Sequence, residues 1–173
     1  ALDKAGNSSA TISMTNIDVD VPKPSITAVL PPPDWSNWYN NPLTIDFVGH
    51  DTGSGVLACT PEFFTYGDIE GRNIIPSVSG FCTDNAGNES DRILSSAFNY
   101  DDGPPTANAS ISPAVPNVRG WYNAPATITF TGADAFSGLD SCTTAQYYTG
   151  PDSATATVTG SCRDQAGNIT PAS

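Results

Sequence analysis

Between residues 43 and 48 apolar and polar side chains alternate, as Leu43-Thr44-Ile45-Asp46-Phe47-Val48. The same alternation returns as Ala126-Thr127-Ile128-Thr129-Phe130-Thr131. A period of two places one set on a single face of a half-buried strand. Ser77-Val78-Ser79-Gly80-Phe81-Cys82 and Ala156 to Cys162 read as further strands. Turns rich in Gly, Asn and Asp separate them. No segment combines a helical period with caps. Several short strands in a stretch of about eighty residues predict an all-β chain of two-sheet sandwiches. Trp38 and Trp121 each stand just before an alternating strand, where core packing is expected. Their competing role is a platform for a sugar.

The pattern repeats because the sequence repeats. Asp3-Lys4-Ala5-Gly6-Asn7, Asp84-Asn85-Ala86-Gly87-Asn88 and Asp164-Gln165-Ala166-Gly167-Asn168 are three copies of Asp-x-Ala-Gly-Asn. They lie about eighty residues apart, which marks a tandem array. Trp38-Tyr39-Asn40 returns as Trp121-Tyr122-Asn123, and Asp51, Ser54 and Gly55 return as Asp134, Ser137 and Gly138. The only change of length falls between the two cysteines of each copy, where a surface loop is expected. This comparison divides the chain at 1–21, 22–103 and 104–173, with joints near Asp18–Pro24 and Asp101–Pro105. The 22–103 unit carries a tail from Ser90 to Tyr100 after its Asp-x-Ala-Gly-Asn turn, and the 104–173 unit carries none. Residues 1–21 read as the corresponding tail of a preceding repeat. Pro22, Pro24, Pro104 and Pro105 are expected to stiffen the joints.

Composition narrows the function. The net charge is −12, with six Lys and Arg scattered through the chain. Phosphate recognition needs clusters of such residues, so nucleic acid is excluded as a partner. No apolar run is long enough to span a membrane and no signal peptide is visible. The four cysteines fall as one pair per unit, Cys59 with Cys82 and Cys142 with Cys162. A pair recurring at matching places in a small β unit reads as a disulfide, worth about 3 kcal/mol through loop closure. Zinc is the rival, but it asks for four ligands and each unit offers two cysteines. The single histidine, His50, becomes Ala133 in the second copy. Disulfides imply an oxidising compartment, hence secretion or the cell surface.

The ordered set Trp-Tyr-Asn-x-Pro, an alternating strand, Asp-x-x-Ser-Gly and Cys-x-Asp-x-Ala-Gly-Asn resembles the immunoglobulin-like repeats of large prokaryotic surface proteins and adhesins. The resemblance covers essentially the whole chain. It implies an extracellular immunoglobulin-like sandwich used for extension or adhesion, and identifies no receptor. Many such repeats lack the paired cysteines, so the disulfides rest on this sequence alone.

Three motifs bear on chemistry. Asp51-Thr52-Gly53-Ser54 spells the aspartic-protease signature, but such enzymes need two carboxylates sharing a proton. The second copy reads Asp134-Ala135-Phe136-Ser137, so a turn in which Asp and Ser bond backbone amides is the better reading. No acid–base constellation recurs in both units, and the chain is expected not to be an enzyme. Asn7, Asn88, Asn108 and Asn168 are formal N-glycosylation acceptors, although Gly-Asn in a tight turn needs no sugar to explain it. In a sandwich of the predicted kind the joints meet the acidic loops at one pole. Asp18 and Asp20 then approach Asp51 and Asp84, while Asp101 and Asp102 approach Asp134 and Asp164. Converging carboxylates and carbonyls are what calcium requires, against the plainer reading that these aspartates cap their own turns.

The predicted protein is a secreted, non-enzymatic filament, stalk or surface layer. Its partners are copies of itself head to tail, or flanking repeats of a longer chain. The alternative is an adhesin module binding a glycan or another cell. Unequal ends suggest how copies join. Ile12, Met14, Ile17, Val19 and Val21 give the segment from Ala10 to Val21 enough apolar surface to complete a neighbour's second unit by strand addition, which propagates as an open, head-to-tail array.

Overall fold

The computed structural model describes residues 2–11, 13–117 and 119–173. Fourteen strands and no helix make up the regular structure of the described residues. In the 22–103 unit these are β1 (Ser25–Val29), β2 (Trp38–Tyr39), β3 (Leu43–His50), β4 (Val56–Thr60), β5 (Phe63–Tyr66), β6 (Gly71–Ile74), β7 (Phe81–Asp84) and β8 (Phe98–Tyr100). The 104–173 unit contributes β9 (Thr106–Ser112), β10 (Ala126–Ala133), β11 (Leu139–Cys142), β12 (Gln146–Tyr148), β13 (Gly160–Asp164) and β14 (Ile169–Ala172).

The alternating segments form the central strands. In β3 Leu43, Ile45 and Phe47 are buried while Thr44, Asp46 and Val48 are exposed. β10 repeats this with Ala126, Ile128 and Phe130. β3 lies between β1 and β5, and β10 lies between β9 and β12. The registers correspond, with Phe47 opposite Ala28 and Phe130 opposite Ala109. Three smaller sheets complete the chain, in the orders β2-β8-β6, β4-β7 and β11-β13-β14. The chain is therefore all-β, built from several small sheets.

In the first unit Tyr39, Leu43, Ile45, Tyr66, Phe98 and Tyr100 form the core, between the β3 sheet and the β2-β8-β6 sheet. Tyr66 meets Phe98 and Tyr100 edge to face, at centroid distances of 5.1 and 5.4 Å. The far end of β3 packs on β7. A Cβ on Gly80 would fall 2.2 Å from the Phe47 ring, and one on Gly49 would fall 2.9 Å from Cys82 Sγ. Gly160 stands under Phe130 and Gly132 against Cys162 Sγ in the same way. The disulfides Cys59–Cys82 and Cys142–Cys162 both form, between residues directly opposite on β4–β7 and β11–β13.

Three expectations need correction. The strands expected from Ser77 and Ala156 begin only at Phe81 and Gly160. The segment between the cysteines is more than a loop, since it holds β5 and β6 in the first unit and β12 in the second. Trp38 is 4% exposed, but Trp121 is 54% exposed and outside the core. The last two have one cause. β2 and β6 both pair with β8, and no described strand of the second unit fills that place. Without it, Trp121 is uncovered, and no strand matching β6 is seen between Tyr148 and Gly160.

Filling the space under the Phe47 ring should be costly. Gly80→Ala, and Gly160→Ala in the second unit, should each destabilise by roughly 1–3 kcal/mol through overpacking. Urea unfolding of the oxidised protein is the measurement. An unchanged midpoint would mean that the ring moves aside freely.

Candidate functional site

Asp-x-Ala-Gly-Asn closes the same clasp three times. The Asp Oδ1 accepts the Asn backbone N–H at 2.9 Å in Asp3–Asn7, 2.8 Å in Asp84–Asn88 and 2.9 Å in Asp164–Asn168. The Asn Nδ2 donates back to Asp Oδ2 at 2.9, 2.8 and 2.9 Å. The glycine has φ of 82°, 91° and 94°, in the left-handed region that side chains other than glycine rarely adopt. Asp, Gly and Asn are thus each called for by the local geometry of the turn.

The clasp also reaches outward. Asn168 Nδ2 donates to the carbonyls of Asp101 and Gly103 at 2.9 and 3.3 Å, tying the second unit's turn to the end of the first unit. Asn88 Nδ2 reaches the Asp20 carbonyl at 3.2 Å. The Ser137 amide donates to Asp101 Oδ2 at 2.9 Å, and the Ser54 amide to Asp20 Oδ2 at 2.6 Å. Both joints therefore use the same bonds at equivalent residues. These Asn88 and Asn168 amides hold turn and joint together, so a glycan there would displace structural bonds. Asn7 is held in its own clasp, and Asn108 lies on the exposed side of β9.

At each joint three carboxylates converge: Asp20, Asp51 and Asp84 at the first, Asp101, Asp134 and Asp164 at the second. One oxygen from each lies within 4.8 Å of the others. Asp18 and Asp102 do not join them. Asp18 is exposed, and Asp102 instead accepts the Tyr100 hydroxyl at 2.9 Å. Strand alternation explains Asp102, which follows Asp101 directly and points to the other side of the extended chain, whereas Asp18 shares the side of Asp20 but lies two residues, about 7 Å, back along it. Asp51 Oδ2 accepts the Gly53 and Gly55 amides, and Asp134 Oδ1 the Phe136 and Gly138 amides. Turn capping and convergence thus coexist.

Asp84, Asp101 and Asp164 are wholly buried. Burial acts to raise the Asp84 carboxyl, but the Asn88 side chain and the Asn88 and Ala86 amides outweigh it and hold it below the ordinary range. Asp101 is pushed up by burial first, against the Ser137 donors, with Asp134 and Asp164 adding repulsion. Glu70 is also raised, by burial, by a hydrogen bond with Asp102 and by the Asp101 and Asp102 charges. Among the described residues neither acidic triad has an ion-pair partner; the ion pairs are Lys23–Asp91 and Arg163–Asp140. Like charges this close repel by about 3 kcal/mol per pair at an effective dielectric near 20. A set made only of carboxylate oxygens suits a hard cation, and oxygens bound to one calcium ion lie within about 5 Å of each other.

Around the second triad the units touch through residues that sequence reasoning missed. Trp35 covers Gly167, where a Cβ would fall 2.8 Å from the indole, and Arg163 lies 4.8 Å over the same ring. Asn40 Nδ2 donates to the Ala166 carbonyl at 2.9 Å. Arg72 stacks on Trp38 and donates to the Ser137 carbonyl at 2.7 Å. Asn40 lay inside the repeated Trp-Tyr-Asn phrase, which was a usable signal. Trp35, Arg72 and Arg163 recur in neither copy and offered none.

No protein-family model matches the chain, and no curated protein and no solved structure matches it.

The raised carboxyls fix a pH dependence. A group whose folded pKa is raised binds its proton more tightly in the folded state, so its contribution to stability is lost as pH rises through that pKa. In chelator the joint should weaken through Asp101 and Glu70 as pH rises through and above the ordinary carboxylate range. Asp84, held low, acts in the opposite sense and only at more acidic pH. Asp101→Asn keeps an acceptor for Ser137 and should flatten the decline seen in melting temperature. A decline of equal slope in Asp101→Asn would show that Asp101 does not cause it.

Proposed function

We propose that the chain is a non-enzymatic extracellular structural protein of tandem immunoglobulin-like sandwiches, serving in a filament, stalk or surface layer. The observation that carries this reading is the joint itself. One set of bonds, Asn to the joint carbonyl and Ser amide to the joint aspartate, appears at both Asp20 and Asp101. A joint specified twice is a device for stacking units in a fixed orientation. The disulfides suit an oxidising environment and hence secretion or the cell surface. Among the described residues no helix is long and apolar enough to cross a membrane.

Calcium is the proposed cofactor, held by Asp101, Asp134 and Asp164 at one joint and by Asp20, Asp51 and Asp84 at the other. Its role is to cancel the repulsion and lock adjacent units. A ligand held only by the native state stabilises it by about 2.7 kcal/mol at a hundredfold excess over Kd. Adhesion is the second reading, favoured by Trp121, which stands exposed at a groove of about 970 Å³ in the second unit.

Small-angle scattering should give an elongated particle, and electron microscopy of concentrated protein should show threads. Calcium should raise the melting temperature over that in chelator, and Asp134→Asn with Asp164→Asn should abolish the difference. A compact particle would refute the structural role. Melting temperatures that ignore calcium would remove the cation while leaving the array. Binding to a glycan array, lost in Trp121→Ala, would establish the adhesin reading instead.

A further inference from the structure

Each unit has one unfinished face. In the second unit it is the groove of about 970 Å³ lined by Ile111, Trp121, Tyr122, Ile128, Tyr148 and Val158. Register identifies the groove. Ala126 opposite Tyr148 matches Leu43 opposite Tyr66, so Tyr122, Ile128 and Tyr148 stand where Tyr39, Ile45 and Tyr66 stand in the first unit. There Phe98 and Tyr100 of β8 close the core, with β8 parallel to β2 and Trp38 and Tyr39 opposite Asn99 and Tyr100. The groove is the berth of a β8-like strand.

In the first unit the unfinished face is the Asp84–Asn88 turn. Ala166 is fully buried and Gly167 partly buried beneath Trp35 and Asn40, but the equivalent Ala86 and Gly87 are exposed. Asp20 already occupies on this turn the place that Asp101 takes on the other. Whatever unit holds the strand ending in Asp20 must therefore abut this face.

That strand is written in the chain. Aligned without a gap from Asp3 on Asp84, Ile17 falls on Phe98, Asp18 on Asn99, Val19 on Tyr100, Asp20 on Asp101 and Pro24 on Pro105. Met14, Ile17, Val19 and Val21 are 65–81% exposed, and no described residue of 10–21 belongs to a strand. Ile12 lies outside the described residues.

We propose that Ile17–Asp20 of a second copy enters the groove of the second unit as β8 does in the first, which brings the bare Asp84–Asn88 turn of that copy against Trp121 and Asn123. This rests on the structural reading above and names its partner, a second copy of this chain. Ile17 and Val19 face Tyr122 and Tyr148, Asp18 pairs with Trp121, and Asn123 meets the Ala86 carbonyl as Asn40 meets that of Ala166. Backbone bonds and buried side chains act together in such strand addition. Donor and acceptor are different surfaces, so the contact repeats without closing. Of the apolar residues in the tail, Ile17 and Val19 are the anchors, and Met14 and Val21 lie outside the paired stretch.

The test uses the 173-residue chain in its oxidised form. Light scattering should show mass rising with concentration, and the doubly substituted Ile17→Asp, Val19→Asp chain should stay monomeric with unchanged melting, because both positions are exposed in the single chain. That monomer should still bind a synthetic peptide of residues 9–21. A chain with residues 94–102 appended after Ser173 should bind none. Mild oxidation of Asp18→Cys, Trp121→Cys protein should give a ladder on a non-reducing gel, and Asp18→Cys, Thr129→Cys should not. Assembly by the Asp-substituted chain equal to wild type, or peptide binding undiminished by the appended strand, would overturn the proposal. So would a groove that takes an oligosaccharide and not the peptide. An elongated monomer with neither ladder nor peptide binding would refute strand donation while sparing the structural role, whereas a compact monomer would refute both.

Discussion

One short strand, Phe98 to Tyr100, organises the first unit. It supplies two of the six core side chains, pairs with both β2 and β6, and runs directly into Asp101. Where it is present Trp38 is buried, β6 forms and the core closes. In the second unit, where no described strand takes its place, Trp121 is exposed and no strand answers to β6. Small units bury little apolar surface per residue. The loss of one strand therefore undoes a whole sheet and not merely its edge.

The same strand makes the array directional. Its last step carries Asp101 out of one core and into the loops of the next unit, where the Ser137 amide and the Asn168 side chain receive it. A unit is finished by its own last strand, and that strand's end finishes the next unit's acidic site. Trp35 on Gly167 and Arg72 on the Ser137 carbonyl then fix the angle between the two. Orientation is set by bonds at the joint, and the prolines of the linker only restrict it.

Much of this was legible in the sequence, for identifiable reasons. The alternation of Leu43, Ile45 and Phe47 gave the central strand because burial on one face is a local, periodic constraint. The cysteine pairs gave both disulfides because the repeat doubled the observation. Asp51 and Asp84 could be brought together because the expected sandwich places their two loops at one pole. What was not legible depends on partners distant in sequence. β6 has no strand signature of its own and exists through β8. The fates of Trp38 and Trp121 diverge although each is followed by Tyr-Asn-x-Pro, because burial depends on what covers them. Asp18 and Asp102 were misplaced because the joint was read as an acidic cluster and not as an extended chain, on which Asp102 points away from Asp101 and Asp18 lies about 7 Å short of Asp20.

The disulfides help to hold each acidic site in place. Cys82 and Cys162 each precede the clasp aspartate by two residues, and each is bonded to the strand that leaves the Asp51 or Asp134 loop. The Asn85 amide bonds the Gly55 carbonyl at 2.9 Å, and the Gln165 amide that of Gly138 at 2.8 Å, so the two loops of each site are pinned together. Two of the three carboxylates are thus fixed within one unit. The third, Asp20 or Asp101, comes with the strand of the preceding unit. A cation held by all three would bind more tightly once that strand has docked. By reciprocity, docking would tighten by the same factor when the cation is present. Were a cation bound, this division of the site, two carboxylates built into one unit and one brought by the strand before it, would couple the joint to the ionic composition of the surroundings. A site made within a single unit would stabilise that unit and leave the joint indifferent.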